Sequence, residues 1–393
     1  MERSLKELIR MERFEDIYQR FEKKIIGCED AADLLGCSVR HFHRLRKGFE
    51  SQGIENLRDK RINARAHNKA ADEETEMVTK LYNDKYQGFS VKHFHEFLEL
   101  EHGLHRSYSW TRNTLSSAQL VRPAKRGGAH RLRRPRKPMI GMMIHQDASS
   151  HEWIPDQIWD LIVTMDDSTS EIYSAFFCDE EGTASSMQGI REVIDKQGLF
   201  CSFYTDRGSH YFYTAEAGGK VDKSRPTQVG RALKQLNIRH IAAYSPQARG
   251  RSERMFGTLQ GRLPQEFALK NITDMAAANR YLSEVYLPKH NKNFTIQPES
   301  EQSAFMPTVG LDIENILCIQ EERTVGKDNT VRYNSKILQI PKNEFRNHFI
   351  KAKVQVNQYI NGEISLFYGP MCIGEYNEDG AVKKQSVTTK KAA

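Results

Sequence analysis

The sequence predicts a multidomain chain: all-α modules first, then a mixed α/β core, then a small all-β unit. Three observations carry that expectation. Between residues 14 and 120 apolar side chains recur at three- and four-residue spacing; between 139 and 267 short apolar runs alternate with helical patterns; beyond 308 short β-branched and aromatic runs are separated by turn residues. A length of 393 residues allows two to four domains, and 38% hydrophobic with 28% charged residues describes several modest cores. No apolar run approaches the length of a membrane span, and the first residues hold no signal-peptide core. The six cysteines are scattered without pair spacing, which suits free thiols in a reducing compartment. Cys28 and Cys37 followed by His41 and His43 do not match a common zinc finger.

In the central region, 139–147 is an apolar run that reads as a buried strand ending on Asp147. Residues 158–166 and 172–178 read as two more strands, joined by the turn chemistry of Asp167-Ser168-Thr169-Ser170-Glu171. Met187, Ile190 and Ile194 make 183–197 an amphipathic helix, with Thr183 as its cap and Gly198 at its end. Residues 199–205 and 238–243 are strands four and five, and 247–269 reads as one long helix. Three strands, a helix, a strand, a helical stretch, a strand and a helix is the order of a ribonuclease H-like fold. In such a sheet the chemistry sits at strand ends.

Three acids stand at such places. Asp147 follows His145-Gln146, Asp206 follows Phe203-Tyr204-Thr205, and Glu253 lies early in the last helix. Three clustered carboxylates repel strongly, so the arrangement calls for divalent cations. Two Mg²⁺ ions, with Mn²⁺ able to substitute, would activate a water or 3′-hydroxyl on one side of a phosphodiester and stabilise the leaving oxygen on the other. Asp166 and Asp167 are assigned to the hairpin turn rather than to metal.

Thr205-Asp206-Arg207-Gly208-Ser209 and Ser245-Pro246-Gln247-Ala248-Arg249-Gly250-Arg251-Ser252-Glu253-Arg254 resemble the Thr-Asp-Asn-Gly-Ser and Pro-Gln-x-x-Gly-x-x-Glu-Arg segments of DDE transposases and retroviral integrases. The resemblance is strongest to insertion-sequence transposases with integrase-type cores. There are two departures. Arg207 replaces the family's Asn, and the second and third acids are 253 − 206 = 47 positions apart, longer than the usual spacing. The surplus is assigned to a polar loop at 215–226.

Before the core, helices at 14–26, 29–35 and 39–51 form a helix-turn-helix pattern, with the turn at Gly36-Cys37-Ser38 and Ser38 as a cap. The last of them presents Arg40, His43, Arg44 and Lys47 to DNA, over a buried face of Val39, Phe42, Leu45 and Phe49. A second such unit has helices at 73–86, 90–102 and 109–120, with Arg112 as its candidate contact. Its middle helix is acidic through Glu96, Glu99 and Glu101.

Residues 122–137 carry eight basic residues and no acid, with Arg131, Arg133, Arg134, Arg136 and Lys137 as candidate phosphate contacts. If all eight neutralised phosphates, log K against log salt would slope by up to about −7. Within the core, Arg207, Arg251 and Arg254 are candidates for gripping DNA. Past 308, strands at 331–340, 352–359 and 363–368 make a small barrel that resembles the C-terminal barrel of phage-type transposases.

The domain plan is therefore 1–66 and 67–121 for the helix-turn-helix modules and 122–138 for the basic linker. The core with a helical extension takes 139–307, the barrel 308–382 and a basic tail 383–393. The resemblance implies a DNA transposase that binds its element's terminal inverted repeats, cuts 3′ ends and joins them to target DNA. It would work as a homo-oligomer, dimer or tetramer, in the bacterial cytoplasm at the nucleoid. The rivals are a catalytically dead DNA-binding regulator and a structure-specific nuclease on the same fold.

Overall fold

The computed structural model describes residues 5–57, 70–122, 134–216, 219–222, 224–244, 250–342, 344 and 346–383. By compactness the chain divides into Met1–Val78 and Thr79–Ala393.

In the first unit, helices α1 (Leu5–Glu22), α2 (Cys28–Leu35) and α3 (Val39–Gln52) enclose Met11, Phe14, Ile17, Ala31, Ala32 and Phe42. Gly36 ends α2 at φ 62°, a left-handed turn that returns its N–H to Ala32 and Asp33 and that a side chain would strain. Ser38 then caps α3 by accepting from the His41 amide. The second and third helices and the turn between them fall where the sequence pattern put them. Val39 departs from the expected buried face: as the first residue of α3 it sits beyond the packed stretch and is 37% exposed. Arg40, His43, Arg44 and Lys47 all stand exposed.

The second unit opens within α4 (Asp72–Lys85), followed by α5 (Val91–His102) and α6 (Tyr108–Ser117), capped by Ser90 and Ser107. Tyr82, Tyr86, Phe94 and Phe97 pack together between these helices, Tyr82 edge to face on Phe94 and Tyr86 tilted against Phe94 and Phe97.

The core is a five-stranded sheet in the order β3-β2-β1-β4-β5, built from β1 (Ile144–Ile154), β2 (Gln157–Asp166), β3 (Ile172–Cys178), β4 (Ser202–Thr205) and β5 (Arg239–Ala242). β1 to β3 are antiparallel, while β4 lies parallel to both β1 and β5. That mixed order is the one expected of a ribonuclease H-like core. Helices cover both faces. On one, Trp153, Leu161, Val163 and Phe177 pack against α9 (Gly250–Gln260), α10 (Leu263–Lys270), α11 (Met275–Tyr281) and α12 (Leu287–Phe294). On the other, Ile144 and Phe203 pack against α7 (Thr183–Gln197) and α8 (Gln228–Gln235). Each such side chain contributes about 2 kcal/mol on full burial, so the sheet is held from both sides.

Several expected boundaries change. β1 does not end on Asp147, since its second half continues as a long hairpin with β2. Met139 to Met143 precede the strand. The long final helix is broken at Gly261, and Pro264 starts α10, where it has no helical amide to lose. The cap of α7 is Gly182, whose amide bonds the Ser185 hydroxyl, and Thr183 is the first helical residue. The exposed edge of β3 is closed by two side-chain amides: Asn279 bonds both backbone groups of Phe177, and Asn291 both of Ile172.

The last region has a four-stranded sheet in the order β11-β10-β9-β6 and a two-stranded hairpin β7-β8. These are β6 (Ile319–Thr324), β7 (Thr330–Tyr333), β8 (Lys336–Gln339), β9 (Lys353–Gln358), β10 (Ile364–Tyr368) and β11 (Met371–Tyr376). β7 to β11, with Val325 just after β6, contribute to one core that includes Val331, Leu338, Val356 and Leu366. The single strand expected over 331–340 is a hairpin. Asn334 and Ser335 both take positive φ (45° and 62°), which fits a two-residue turn matched to strand twist.

Candidate active site

Two of the three acids are brought together by strand register. β1 and β4 are parallel, with Ile144 beside Phe203 and His145 beside Tyr204. Two residues further along each strand, that register sets Asp147 beside Asp206 on one face. Asp147 is nearly buried, and its Oδ1 accepts from the Ala148 amide at 3.0 Å. Asp206 leaves the end of β4, where its Oδ1 accepts from the Gly208 amide at 2.8 Å. Glu253 lies in the first turn of α9, on its exposed side, while Ser252, Met255, Phe256 and Leu259 face the sheet. Among the described residues no three His, Cys, Asp or Glu side chains stand close enough to hold one ion.

Behind the acids is a buried carboxylate that the sequence reading assigned to a turn. Asp167 has no exposed side-chain surface, and its Oδ1 accepts from His145 Nε2 at 2.7 Å and from Arg134 and Arg251. Its Oδ2 accepts from the Lys137 amide at 2.8 Å. Burial works to raise the Asp167 carboxyl, but His145, the Lys137 amide and Arg134 together hold it well below the usual carboxylate range. Burial likewise pushes the His145 imidazole down, against the pull of Asp167. Asp166 does serve the turn: its Oδ1 accepts from the Ser168 amide and hydroxyl and the Thr169 amide, and its Oδ2 from the Gly141 amide.

The candidate DNA contacts divide by environment. Arg134 is tied to Asp167 and lies 5.3 Å from the Tyr204 ring centroid. Arg136 donates to the carbonyls of Asp167 and Ser168 and to the Ser170 hydroxyl. Arg251, with 11% of its side chain exposed, bonds Asp167 and the Arg134 carbonyl. Arg134 and Arg251 balance the buried Asp167 carboxylate, and Arg136 fastens the backbone of the same turn. Arg207 donates to the Gly219 carbonyl at 2.8 Å and covers the Tyr244 ring, so it is joined to the polar insertion. Arg254 is exposed and bonds back to the Gly250 carbonyl, and Arg112 is exposed on α6. Arg131 and Arg133 lie outside the described residues, as does 245–249 of the second motif.

On the opposite face of β1, Gln146 donates to the Thr164 hydroxyl and the Ser186 carbonyl, and accepts from the buried Tyr211 hydroxyl at 2.8 Å. Burial, then Glu181, holds that phenol well above its ordinary range, so it remains a donor. Tyr211 was not singled out from the sequence, and Asp167 was assigned there to the hairpin turn alone. Asp167 was visible as an acid beside a hairpin, but nothing local distinguishes a turn aspartate from a buried hub.

The described core is thus a mixed five-stranded sheet whose central parallel pair brings Asp147 and Asp206 to neighbouring positions. Over most of its length the chain is similar to curated transposases. It is 28% identical over 340 residues to a putative transposase, y4bF, of Sinorhizobium fredii (strain NBRC 101917 / NGR234), covering 86% of this chain and 74% of that one. It is 26% identical over 370 residues to the transposase for insertion sequence IS1202 of Streptococcus pneumoniae, covering 84% and 78%. Solved structures include a simian T-cell lymphotropic virus intasome bound to a PP2A regulatory subunit B56 gamma, with TM-score 0.33 and 15% identity over 73% of this chain and 91% of that one. The HTLV-2 integrase catalytic core with magnesium overlaps with TM-score 0.28 and 13% identity over 37% and 89%. No family model matches the chain. The similarity to these transposases therefore extends over more than four-fifths of the chain, beyond the two motifs. No helix among the described residues is long and apolar enough to cross a membrane.

Proposed function

We propose that this chain is a DNA transposase that cuts the 3′ ends of its element and joins them to target DNA, with Asp147, Asp206 and Glu253 as its catalytic acids. The observation that carries the reading is the parallel register that sets Asp147 beside Asp206, in a chain similar to transposases across more than four-fifths of its length. Two adjacent carboxylates at the centre of a sheet repel each other, and a hard cation shared between them offsets that repulsion. Their oxygens, with those of Glu253, fit Mg²⁺ or Mn²⁺ in donor chemistry. Such a metal, when bound, supplies Lewis-acid stabilisation of the phosphoryl oxygens and lowers the pKa of a bound water or hydroxyl.

The chain's own residues do the remainder. The Ala148 and Gly208 amides each occupy one aspartate oxygen, which orients the other towards the shared face. Glu253, in the first turn of α9, would complete the acidic set. Exposed Arg254 stands one residue further on, where it would meet a DNA phosphate. The α3 cations would read or grip the element's ends, and two ends processed together call for an oligomer on DNA.

The test uses DNA flanking the gene, where terminal inverted repeats are expected. Labelled end fragments are incubated with the native protein, Asp206→Asn and Glu253→Gln in Mg²⁺, and cleavage and joining are mapped. End-specific 3′ nicks and joined products, absent in both variants with end binding retained, establish the reading. Tight end binding without metal-dependent cleavage by the native protein would overturn it in favour of a DNA-binding regulator.

A further inference from the structure

The residue two positions before each acid belongs to one cluster. His145 precedes Asp147, Tyr204 precedes Asp206 and Arg251 precedes Glu253. The His145 and Tyr204 rings are 4.8 Å apart. Arg134 lies against Tyr204, and Arg134, His145 and Arg251 all meet on one oxygen of Asp167. Arg251 also reaches the Arg134 carbonyl at 2.7 Å, while Arg136 and the Lys137 amide fasten the same stem of chain to the Asp167 turn. Strand period makes the first two steps direct, because residues two apart share a face. The third step runs through the backbone of the first turn of α9.

We propose that Asp167 is the positioning residue of the active site: by holding His145, Arg134 and Arg251 at one point, it sets the spacing of Asp147, Asp206 and Glu253. The inference rests on the transposase reading above and deepens it. Asp167 itself touches no substrate and no reacting atom. Of its four donors, two come from the stem 134–137, so the end of the basic linker is part of the apparatus that places Glu253. Arg251 is the tie to α9, and its two-pronged contact joins that helix to the stem and to the sheet together. A lysine there would keep the charge but make one contact where arginine makes two.

Replacing Asp167 with Asn leaves two guanidiniums facing a neutral amide and is prone to misfolding, so the test centres on Arg251→Gln and Arg251→Lys, with Asp167→Asn alongside. Binding of Mn²⁺ is followed by the electron paramagnetic resonance of the free ion, and cleavage of labelled ends is measured over a range of metal concentration. Thermal unfolding and end binding are recorded for each variant.

The expected result for Arg251→Gln is unchanged end affinity and a weakening of Mn²⁺ binding by about ten-fold, the scale found when groups that orient a ligand are removed. Cleavage at saturating metal falls by about a hundred-fold, as for an ångström of misplacement, and Arg251→Lys falls between Gln and the native protein. Unchanged Mn²⁺ binding and cleavage in a folded Arg251→Gln protein overturn the proposal, and so does a loss that only follows the folded fraction. A native protein that neither holds Mn²⁺ nor cleaves ends sinks the transposase reading and this proposal with it. A native protein that does both, beside an unaffected Arg251→Gln, sinks the proposal alone.

Discussion

Asp147 and Asp206 lie side by side because β1 and β4 run parallel with Ile144 set against Phe203. Without a cation these two charges oppose each other in a nearly buried place, so the metal-free protein is less stable than its packing allows. Asp206→Asn is expected to raise the metal-free melting temperature and to erase any rise caused by Mg²⁺. A ligand at a hundred times its Kd stabilises by about 2.7 kcal/mol, which is several degrees in a domain of this size. Thermal scans of both proteins with and without Mg²⁺ check this. A native protein indifferent to Mg²⁺ would count against metal at this pair.

Glu96 and Arg262 form a two-pronged ion pair between α5 and the start of α10, at 2.7 and 3.0 Å. Both side chains are largely covered, at 15% and 9% exposed. Beside them the buried His93 meets Glu266 at 2.7 Å, and Glu266 also accepts from the Tyr281 hydroxyl. Of the acids on α5, Glu96 is thereby explained as a dock onto the core. Removing one partner of a covered pair strands the other, so Glu96→Gln is expected to cost about 3 kcal/mol. The double variant Glu96→Gln/Arg262→Met should recover part of that loss, which urea midpoints of the three variants would show.

How much of this was legible in the sequence depends on the range of the interaction. The five core strands and α1 to α3 follow from local apolar period and from Gly36 and Ser38, so they could be read directly. Asp206 and Glu253 stood out through their motifs. The docking role of Glu96 could not be read, because its partner lies 166 positions away. Asp167 was hidden for a similar reason: its donors come from 134–137, β1 and α9, and only the folded chain gathers them. The ties of Arg134 and Arg251 to Asp167 could not be read either, because a basic residue in sequence does not reveal whether a buried acid will hold it. The hairpin at Asn334-Ser335 was missed because it lacks glycine, and an apolar run on either side reads as one strand.

His290 offers a pH test remote from the acids. It is buried on α12 between the Tyr286 and Phe294 rings, near Arg262, and burial followed by Arg262 lowers its pKa from 6.5 to about 4. A lowered folded-state pKa means the native protein keeps this imidazole neutral while the unfolded chain binds a proton. Stability therefore falls as pH drops through 6.5 and goes on falling to about 4. At about 1.4 kcal/mol per pH unit the total loss is about 3 kcal/mol. His290→Gln should flatten the profile of urea midpoint against pH in that window. An unchanged slope would mean that other groups set it.

Gly189 on α7 lies close against the sheet. A methyl group there would come within 2.2 Å of Gln146 Nε2 and 2.7 Å of the Thr164 hydroxyl. Gln146 adjoins Asp147 and also holds Tyr211, so the clash would be passed towards the site. Gly189→Ala is expected to destabilise by about 1–3 kcal/mol, the usual cost of overpacking, despite alanine's better helix propensity. Cleavage should fall while end binding persists. Greater stability in Gly189→Ala would show that Gln146 can swing away without cost.

The exposed cations of α3 lead to a prediction about salt. Ser38 and Gly36 fix the start of this helix, and Phe42 anchors its inner face, so Arg40, His43, Arg44 and Lys47 face outward together. A cation that touches only phosphate supplies affinity without sequence preference, and its loss reduces the slope of log K against log salt by about 1. A cation that reads a base edge gives a different signature: its loss costs about 1–3 kcal/mol on the true end and little on random DNA. Arg40→Ala, Arg44→Ala and Lys47→Ala, titrated against end and random fragments over a salt series, would sort the three into these roles. If all three leave both the slope and the end preference untouched, α3 is not the DNA-reading helix.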